Sequence, residues 1–262
     1  MANSLPALFF GHGNPMNAIE ENAYTRAWAA IGKRLAKPRA ILAISAHWYL
    51  PATLVTAMDK PRTIHDFGGF PRPLYEVEYP APGDPELAAR VQELVSPVAA
   101  VQRDQSWGLD HGTWSVLCRL FPAADIPVVQ LSIDETQEPA FHYEVGKCLT
   151  PLRDEGILVI GSGNLVHNLH TYAWGRHPVE PFDWALRFEK QARDLLVADD
   201  VEPIIDYESL GRDARLSVPT PDHYLPLLYV LGLRRAGDRV SFPVEGVDGG
   251  SISMLSVEIG SE

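Results

Sequence analysis

Four short apolar segments, each bounded by Gly, Pro or Ser, constrain the fold of this chain more than any other feature. They are residues 5–10, 40–45, 128–133 and 157–160. Apolar segments of this length with such boundaries are typical of strands that are buried on both faces. Because helical patterns lie between them, the sequence predicts an α/β fold with a central, mostly parallel sheet flanked by helices on both faces.

Four apolar patterns repeat with the spacing of a helix, and each is expected to face the hydrophobic core. They consist of Tyr24, Trp28, Ile31 and Leu35; Leu87, Val91, Leu94 and Val95; Phe141, Val145, Leu149 and Leu152; and Trp184, Phe188, Ala192 and Leu195. Residues 240–244 and 251–259 predict two more strands, paired as a hairpin at the sheet edge. No repeat or low-complexity linker interrupts the pattern, so we predict one domain spanning residues 1–262.

Charge and composition exclude several classes of function. The net charge is −12 and the pI about 5.2, with no Lys/Arg stripe, which argues against nucleic-acid binding. No apolar stretch approaches the roughly 20 residues of a membrane span, and the first ten residues lack the basic region of a signal peptide. Cys118 and Cys148 lie among apolar residues of predicted helices and suggest free thiols. We therefore expect a cytoplasmic protein, monomeric or a small homo-oligomer.

Three histidines follow predicted strands. His12 and His47 come one or two residues after an apolar segment, and His167 follows the fourth segment through a Gly-Ser-Gly-Asn turn. Ligands of open α/β sheets bind beyond the carboxyl ends of the strands, so parallel strands would bring these side chains to one rim. His223 follows Thr220-Pro221, which predict the start of a helix, where the dipole disfavours a charged imidazole. Together the four histidines predict a metal site.

Two other segments allow both a structural and a functional interpretation. The loop of residues 61–85 contains His65, Asp66 and Phe67. A loop this long either packs on itself as an Ω-loop or forms the wall of an active site, with its Gly68-Gly69 pair as a hinge. Asp110 precedes a predicted helix and is suited to cap it, in which case the next residue, His111, has no role of its own.

Six sequence blocks, in the same order along nearly the whole chain, resemble the DOPA-type class III extradiol ring-cleavage dioxygenases. The blocks are GHGNPM at 11–16, SAHW at 45–48, IHDFGGFP at 64–71, WGLDHGTW at 107–114, GSGNLVHN at 161–168 and TPDHYLPLLYVLG at 220–232. The resemblance implies one α/β domain that opens the ring of a catechol, a small-molecule substrate, with O2. Its active site would lie at the carboxyl ends of the strands.

The resemblance also implies roles for individual residues. Non-haem Fe(II) is expected at His12, His47 and His223. His167 is expected to act as the catalytic base or as an additional metal ligand, and His111 to contact substrate and oxygen. The loop residues His65, Asp66 and Phe67 are expected to bind the substrate. No Arg or Lys stands out as a partner for a substrate carboxylate, so the side chain of the catechol is left unassigned.

One ligand position departs from other branches of the superfamily, which use two histidines and one carboxylate. Here His223 stands where those proteins have glutamate. Three neutral ligands leave a divalent ion with its full charge of +2, which a doubly deprotonated catechol would neutralise. The same histidines suit Zn(II), which generally binds nitrogen ligands more tightly than Fe(II), so zinc is expected to occupy the purified protein.

Two other functions are compatible with the sequence. A zinc hydrolase would use the same histidines and a carboxylate base near a metal-bound water, for which Asp66, Asp110 and Asp222 are candidates. A non-catalytic metal-binding or partner-binding protein would reuse the fold without its chemistry. Oxygen consumption with a catechol separates both from a dioxygenase.

Overall fold

A mixed β-sheet forms the centre of the molecule in the computed structural model, which describes residues 4–176 and 179–260; His177 lies outside them. Within these residues the sheet has eight strands, in the order β4-β3-β5-β2-β6-β1-β10-β7, and β8 and β9 form a separate two-stranded ribbon. The strands are β1 Ala7–Gly11, β2 Ala40–Leu50, β3 Leu54–Thr56, β4 Gln102–Asp104, β5 Val128–Asp134, β6 Ile157–Gly163, β7 Arg239–Val244, β8 Val247–Asp248, β9 Ile252–Ser253 and β10 Ser256–Gly260.

Helices connect the strands and cover the sheet. Over the described residues they are α1 Ala23–Arg34, α2 Arg72–Tyr75, α3 Pro85–Val95, α4 His111–Leu120, α5 Pro139–Cys148, α6 Asp183–Ala198, α7 Glu202–Ile205, α8 Arg212–Ser217 and α9 Leu225–Gly232. No helix in this part of the chain is long and apolar enough to cross a membrane.

The sheet buries both of its faces, as the apolar segments predict. Neighbouring residues of β1 alternate between two cores: Phe9 packs in one and Phe10 in the other. The first core takes apolar residues from α3, α5, α6 and α9, and the second takes them from α1 and α4. The four central strands, β5, β2, β6 and β1, are mutually parallel, which confirms the predicted α/β fold.

The carboxyl-terminal strands agree only in part with the predicted hairpin. β7 and β10 pair antiparallel, and β7 lies at the edge of the sheet. However, residues 251–259 do not form one strand. Ile252 and Ser253 pair with β8 instead, and Gly249 and Gly250 make the turn between the two strands of that ribbon, both with positive φ. The predicted strand is thus interrupted because its first part is used in a local hairpin.

The position of His47 also differs from the prediction. β2 does not end at Ser45 but continues to Leu50, so His47 lies within the strand. In the pairing of β2 with β5, Ile44 lies opposite Leu131, and the next paired residue of β2, Tyr49, lies opposite Ile133. The four residues 45–48 of β2 therefore correspond to a single residue of β5, Ser132. Such a bulge re-aims side chains, and here it presents His47 at the rim of the sheet.

Candidate active site

The imidazoles of three histidines converge at the carboxyl ends of the central strands. His12 follows β1, His47 lies in the bulge of β2, and His223 precedes α9. One ring nitrogen of each lies within 4.8 Å of one ring nitrogen of the other two. The Nε2 atoms of His12 and His47 are 3.2 Å apart. His12 and His47 meet because parallel strands end at the same edge of the sheet. His223, 211 positions after His12, reaches this edge because its carbonyl accepts a hydrogen bond from the amide of Asn164, directly after β6.

Each of these rings is oriented by an oxygen acceptor at its Nδ1. His12 Nδ1 lies 3.0 Å from Ser162 Oγ, whose own proton is donated to the carbonyl of Gly112. His47 Nδ1 lies 3.3 Å from Asp66 Oδ2, and His223 Nδ1 contacts the carboxylate of the adjacent Asp222. Because these oxygens accept, the Nδ1 atoms carry the protons, and each Nε2 is left with a free lone pair.

This arrangement fits a metal cation. Two lone pairs facing each other across 3.2 Å repel unless a positive charge lies between them. Imidazole nitrogens about 2.1 Å from one ion and roughly 90–109° apart are roughly 3.0–3.4 Å from each other, which agrees with the observed separation. The donor set of three neutral nitrogens suits iron, zinc and other transition metals.

Burial keeps these ligands in the form that binds a metal. His12 is only 2% exposed. Burial lowers the pKa of His12 and of His47 well below the usual value, and the neighbouring histidines lower both further. The imidazoles of His12 and His47 are therefore neutral at neutral pH, so a metal ion would not have to displace a proton from either of them.

The backbone of His223 is held against the end of β6. Its carbonyl accepts a hydrogen bond from the amide of Asn164, and the carbonyl of Gly163 in turn accepts one from the amide of His12. A Cβ at Gly163 would lie 2.1 Å from the oxygen of His223, so only glycine permits this approach. The predicted helix at Thr220 begins later than expected, at Leu225 with Pro226 in its first turn, and His223 lies in the turn before it.

Two more histidines surround the converging nitrogens. The ring of His167 stacks on that of His223, with centroids 3.5 Å apart and an interplanar angle of 4°. The ring of His111 lies 3.9 Å from that of His47, centroid to centroid. Burial, followed by the neighbouring His223, lowers the pKa of His167 to about 2, so this imidazole is neutral. The residue before His111, Asp110, caps α4 by accepting from Thr113, as expected.

Asp66 links two of the histidines. Its Oδ1 accepts from the backbone amide of His111 at 2.9 Å and its Oδ2 accepts from His111 Nδ1 at 3.0 Å. His47 Nδ1 lies 3.3 Å from the same Oδ2. Although burial raises the pKa of the Asp66 carboxyl, the hydrogen bonds from His111 outweigh it and hold the pKa below its usual value. Asp66 is thus a carboxylate that lies between the rings of His111 and His47.

A cavity of about 210 Å³ opens over the histidine cluster. Besides His12, His47, His111, His167 and His223, its lining consists of Gly13, Asn14, Pro15, Phe67, Phe70, Leu169, Tyr172, Trp174, Asp248 and Ile252. The loop of residues 61–85 therefore forms part of the wall through Phe67 and Phe70. His65 is not among the lining residues, and its Nε2 is 3.0 Å from the carbonyl of Val77.

Comparisons with known proteins agree with this geometry. Residues 7–246 match the family described as the catalytic LigB subunit of aromatic ring-opening dioxygenase. The chain belongs to this family. An Escherichia coli K12 protein named 4,5-DOPA dioxygenase extradiol is 50% identical over 259 residues, which cover 98% of this chain and 95% of that one. A Beta vulgaris protein of the same name is 36% identical over 264 residues, covering 99% and 98%.

A solved structure supports the same assignment. The crystal structure of an uncharacterized protein from Escherichia coli K12 superposes with a TM-score of 0.85 at 46% sequence identity, and the match covers 98% of this chain and 100% of the other. The resemblance to extradiol ring-cleavage dioxygenases is thereby confirmed, and the chain is an aromatic ring-opening dioxygenase of the extradiol class with a histidine-rich metal site.

Several residues that shape the LigB-family site have contacts that the sequence prediction does not include, although Asp222 is considered there as a possible base. Ser162 and Asp222 orient ligand rings, and Ser45 and Gln130 hold the buried carboxylate of Asp110 at 2.6 and 2.5 Å. A signal for two of them is visible in hindsight. Ser162 is a polar residue at the end of an apolar strand, and Asp222 directly precedes a candidate ligand.

Replacing Asp66 by asparagine is expected to lower turnover roughly 10- to 100-fold, the usual effect of removing an outer partner of a ligating histidine. The asparagine oxygen still accepts from the amide of His111, so the loop stays attached, but one oxygen is replaced by an amide that repels the Nδ1–H groups. Turnover and metal content would be measured beside Asp59→Asn, an exposed position two residues before the loop. Activity within twofold of wild type would show that Asp66 is not needed for orientation.

Proposed function

We propose that the protein is an Fe(II)-dependent extradiol dioxygenase that cleaves a DOPA-like catechol, with His12, His47 and His223 as the iron ligands. The observation that carries the proposal is the convergence of three Nε2 lone pairs whose Nδ1 atoms are all held by oxygen acceptors. The relatives named 4,5-DOPA dioxygenase extradiol support the choice of substrate class.

Fe(II) bound by these nitrogens would supply the redox chemistry with O2 and the Lewis acidity toward the catechol oxygens that ring opening requires. His12, His47 and His223 would hold the ion, and the cavity that opens over them would admit the substrate. His167 would take up a catechol proton, because its imidazole is neutral and lies beside His223 at the cavity wall. The arrival of an anionic catecholate would raise the pKa of His167 and strengthen it as a base.

His111 would contact the substrate and oxygen from the opposite side. Its Nδ1 donates a hydrogen bond to Asp66, so Nε2 is the ring nitrogen left to form a hydrogen bond with the substrate or oxygen. Phe67 and Phe70 line the cavity beside it and would pack against the catechol ring. These aromatic walls limit the access of water to the reacting centre.

The structure offers little support for a hydrolase on the same histidines. Each of the three carboxylates that the sequence suggests as a base is already engaged. Asp66 accepts from His111, Asp110 accepts from Ser45 and Gln130, and Asp222 accepts from His223. None is left free to take a proton from a metal-bound water. Zinc would therefore be an occupant of the site rather than its working metal.

Anaerobic reconstitution with Fe(II), followed by oxygen-electrode and visible-absorption measurements on a panel of catechols, tests the proposal. We expect one O2 consumed per catechol and a new chromophore from the opened ring. A Zn(II)-loaded sample is the control and is expected to be inactive, since zinc has no accessible redox change. Equal activity with either metal, or no oxygen uptake with any catechol, would refute the iron-dependent reaction.

A further inference from the structure

The wall of the catalytic cavity carries one formal charge outside the histidine cluster. Of the described residues that line the cavity, Asp248 is the sole acidic residue and none is lysine or arginine. The rest of the wall away from the histidines is mainly apolar, with Phe67, Leu169 and Trp174 among its members. A catechol held at the histidines would therefore meet a negative charge and no positive side chain in the described remainder of the wall.

Asp248 is held in a defined position. Its Oδ2 accepts a hydrogen bond of 2.7 Å from the hydroxyl of Tyr172, which Asn14 also contacts. Burial and the neighbouring carboxylate of Asp248 raise the pKa of Tyr172, so its hydroxyl keeps the proton that it donates. Asp248 Oδ1 has no hydrogen-bond partner among the described residues. One carboxylate oxygen is thus anchored and the other is available to a ligand.

The local backbone is built around this pair. Gly249 has φ of +53°, and a Cβ there would lie 2.0 Å from the ring of Tyr172. Only glycine therefore lets the turn after β8 pack against the Tyr172 ring while the carboxylate of Asp248 reaches the Tyr172 hydroxyl. The amide of Ala173 donates to the carbonyl of Gly249 at 3.0 Å and ties the two segments together.

A second, polar cavity of about 220 Å³ adjoins the first at the same residues. Asn14, Tyr172 and Asp248 line both cavities, and the polar one also includes Asn17, Glu20, Asn22, Tyr24 and Met254. Asn14, Tyr172 and Asp248 therefore border both the catalytic cavity and a region lined by oxygen acceptors and hydroxyl groups. Such surroundings suit a hydrated cationic group and are unfavourable for an anionic one.

We propose that Asp248, positioned by Tyr172, binds a protonated amine on the side chain of the substrate and so selects catechols that carry a cationic side chain. This inference rests on the proposed ring cleavage of catechols and adds the feature of the substrate that is recognised. A carboxylate on the same side chain finds no cationic partner in the described wall of the cavity. The amine, rather than the carboxylate, therefore decides specificity.

The test compares three catechols on the iron-loaded enzyme: 4-methylcatechol, a catechol with an ethylamine side chain and a catechol with a propionate side chain. We expect kcat/KM for the amine to exceed that for the propionate by at least about tenfold, the size of one charge-assisted hydrogen bond. Asp248→Asn, which can still accept from Tyr172, is expected to raise KM for the amine about tenfold, to change kcat little and to leave 4-methylcatechol unaffected.

Glu20→Gln provides the matched control. It removes the same charge from the polar cavity, but Glu20 is exposed and does not line the catalytic cavity. It is expected to behave as wild type with all three catechols. If 4-methylcatechol is cleaved but the amine has no advantage, or if Asp248→Asn affects all three catechols equally, Asp248 has a structural role only. If no catechol is cleaved, the proposed function fails and this inference with it.

Discussion

Replacing His12 by alanine is expected to remove the bound metal and with it all ring cleavage. His12 Nε2 faces His47 Nε2 at 3.2 Å, so the variant leaves His47 and His223 as the remaining ligands. Losing an outer partner of a ligand already lowers metal affinity roughly 10- to 100-fold, and the loss of the ligand itself is expected to exceed that. Metal per chain and oxygen uptake after reconstitution with Fe(II) would both fall to background.

His170→Ala is the matched control for this variant. His170 is exposed and does not line the cavity, so the same chemical change is expected to leave metal content and turnover at the wild-type level. His47→Ala is expected to reproduce the effect of His12→Ala. Circular dichroism of each variant shows whether the fold is retained. A folded His12→Ala protein with full metal content would exclude His12 as a ligand.

Replacing His167 by alanine is expected to separate metal binding from catalysis. Its ring stacks on His223 and lies beside the three converging nitrogens rather than among them. His12, His47 and His223 are expected to keep most of the metal, because their Nδ1 partners are unchanged. Turnover is expected to fall roughly 10²–10⁴-fold, the usual contribution of a positioned general base.

The decisive measurement is metal content and catechol turnover of His167→Ala and His12→Ala side by side. His167→Phe, which keeps an aromatic ring that can stack on His223 but has no basic nitrogen, distinguishes the loss of the base from the loss of the stacked ring. Metal loss as severe as in His12→Ala would make His167 a fourth ligand. Full activity of both His167 variants would remove this residue from the mechanism.

The sequence predicts the fold class because its main signals are local. Apolar segments bounded by turn residues form β1, β2, β5 and β6, and the helical patterns between them form covering helices. The approach of His12 and His47 is predictable too, since parallel strands bring their carboxyl ends to one edge regardless of sequence separation. The resemblance to extradiol dioxygenases adds His223, whose neighbourhood depends on a turn that no periodicity reveals.

Other features could not be predicted from the sequence, because they depend on contacts between segments that are distant in the chain. The bulge that places His47 within β2 arises from its pairing with β5. Asp66 accepts a hydrogen bond from His111, whereas the neighbouring His65 contacts the carbonyl of Val77, although both residues belong to one polar loop segment. Asp248 reaches the catalytic cavity only because Tyr172 meets it there.

The physical reason for this division is the range of the interactions involved. Strand and helix formation follow from the pattern of apolar and polar residues within a few positions, and this pattern can be seen directly in the sequence. The partner of a polar side chain is decided by which donor or acceptor the packed fold brings within about 3 Å of it. The amino-acid sequence by itself thus determined the sheet and the rim where the histidines gather. Tertiary structure alone decided which oxygen lies at each imidazole and which carboxylate lines the cavity.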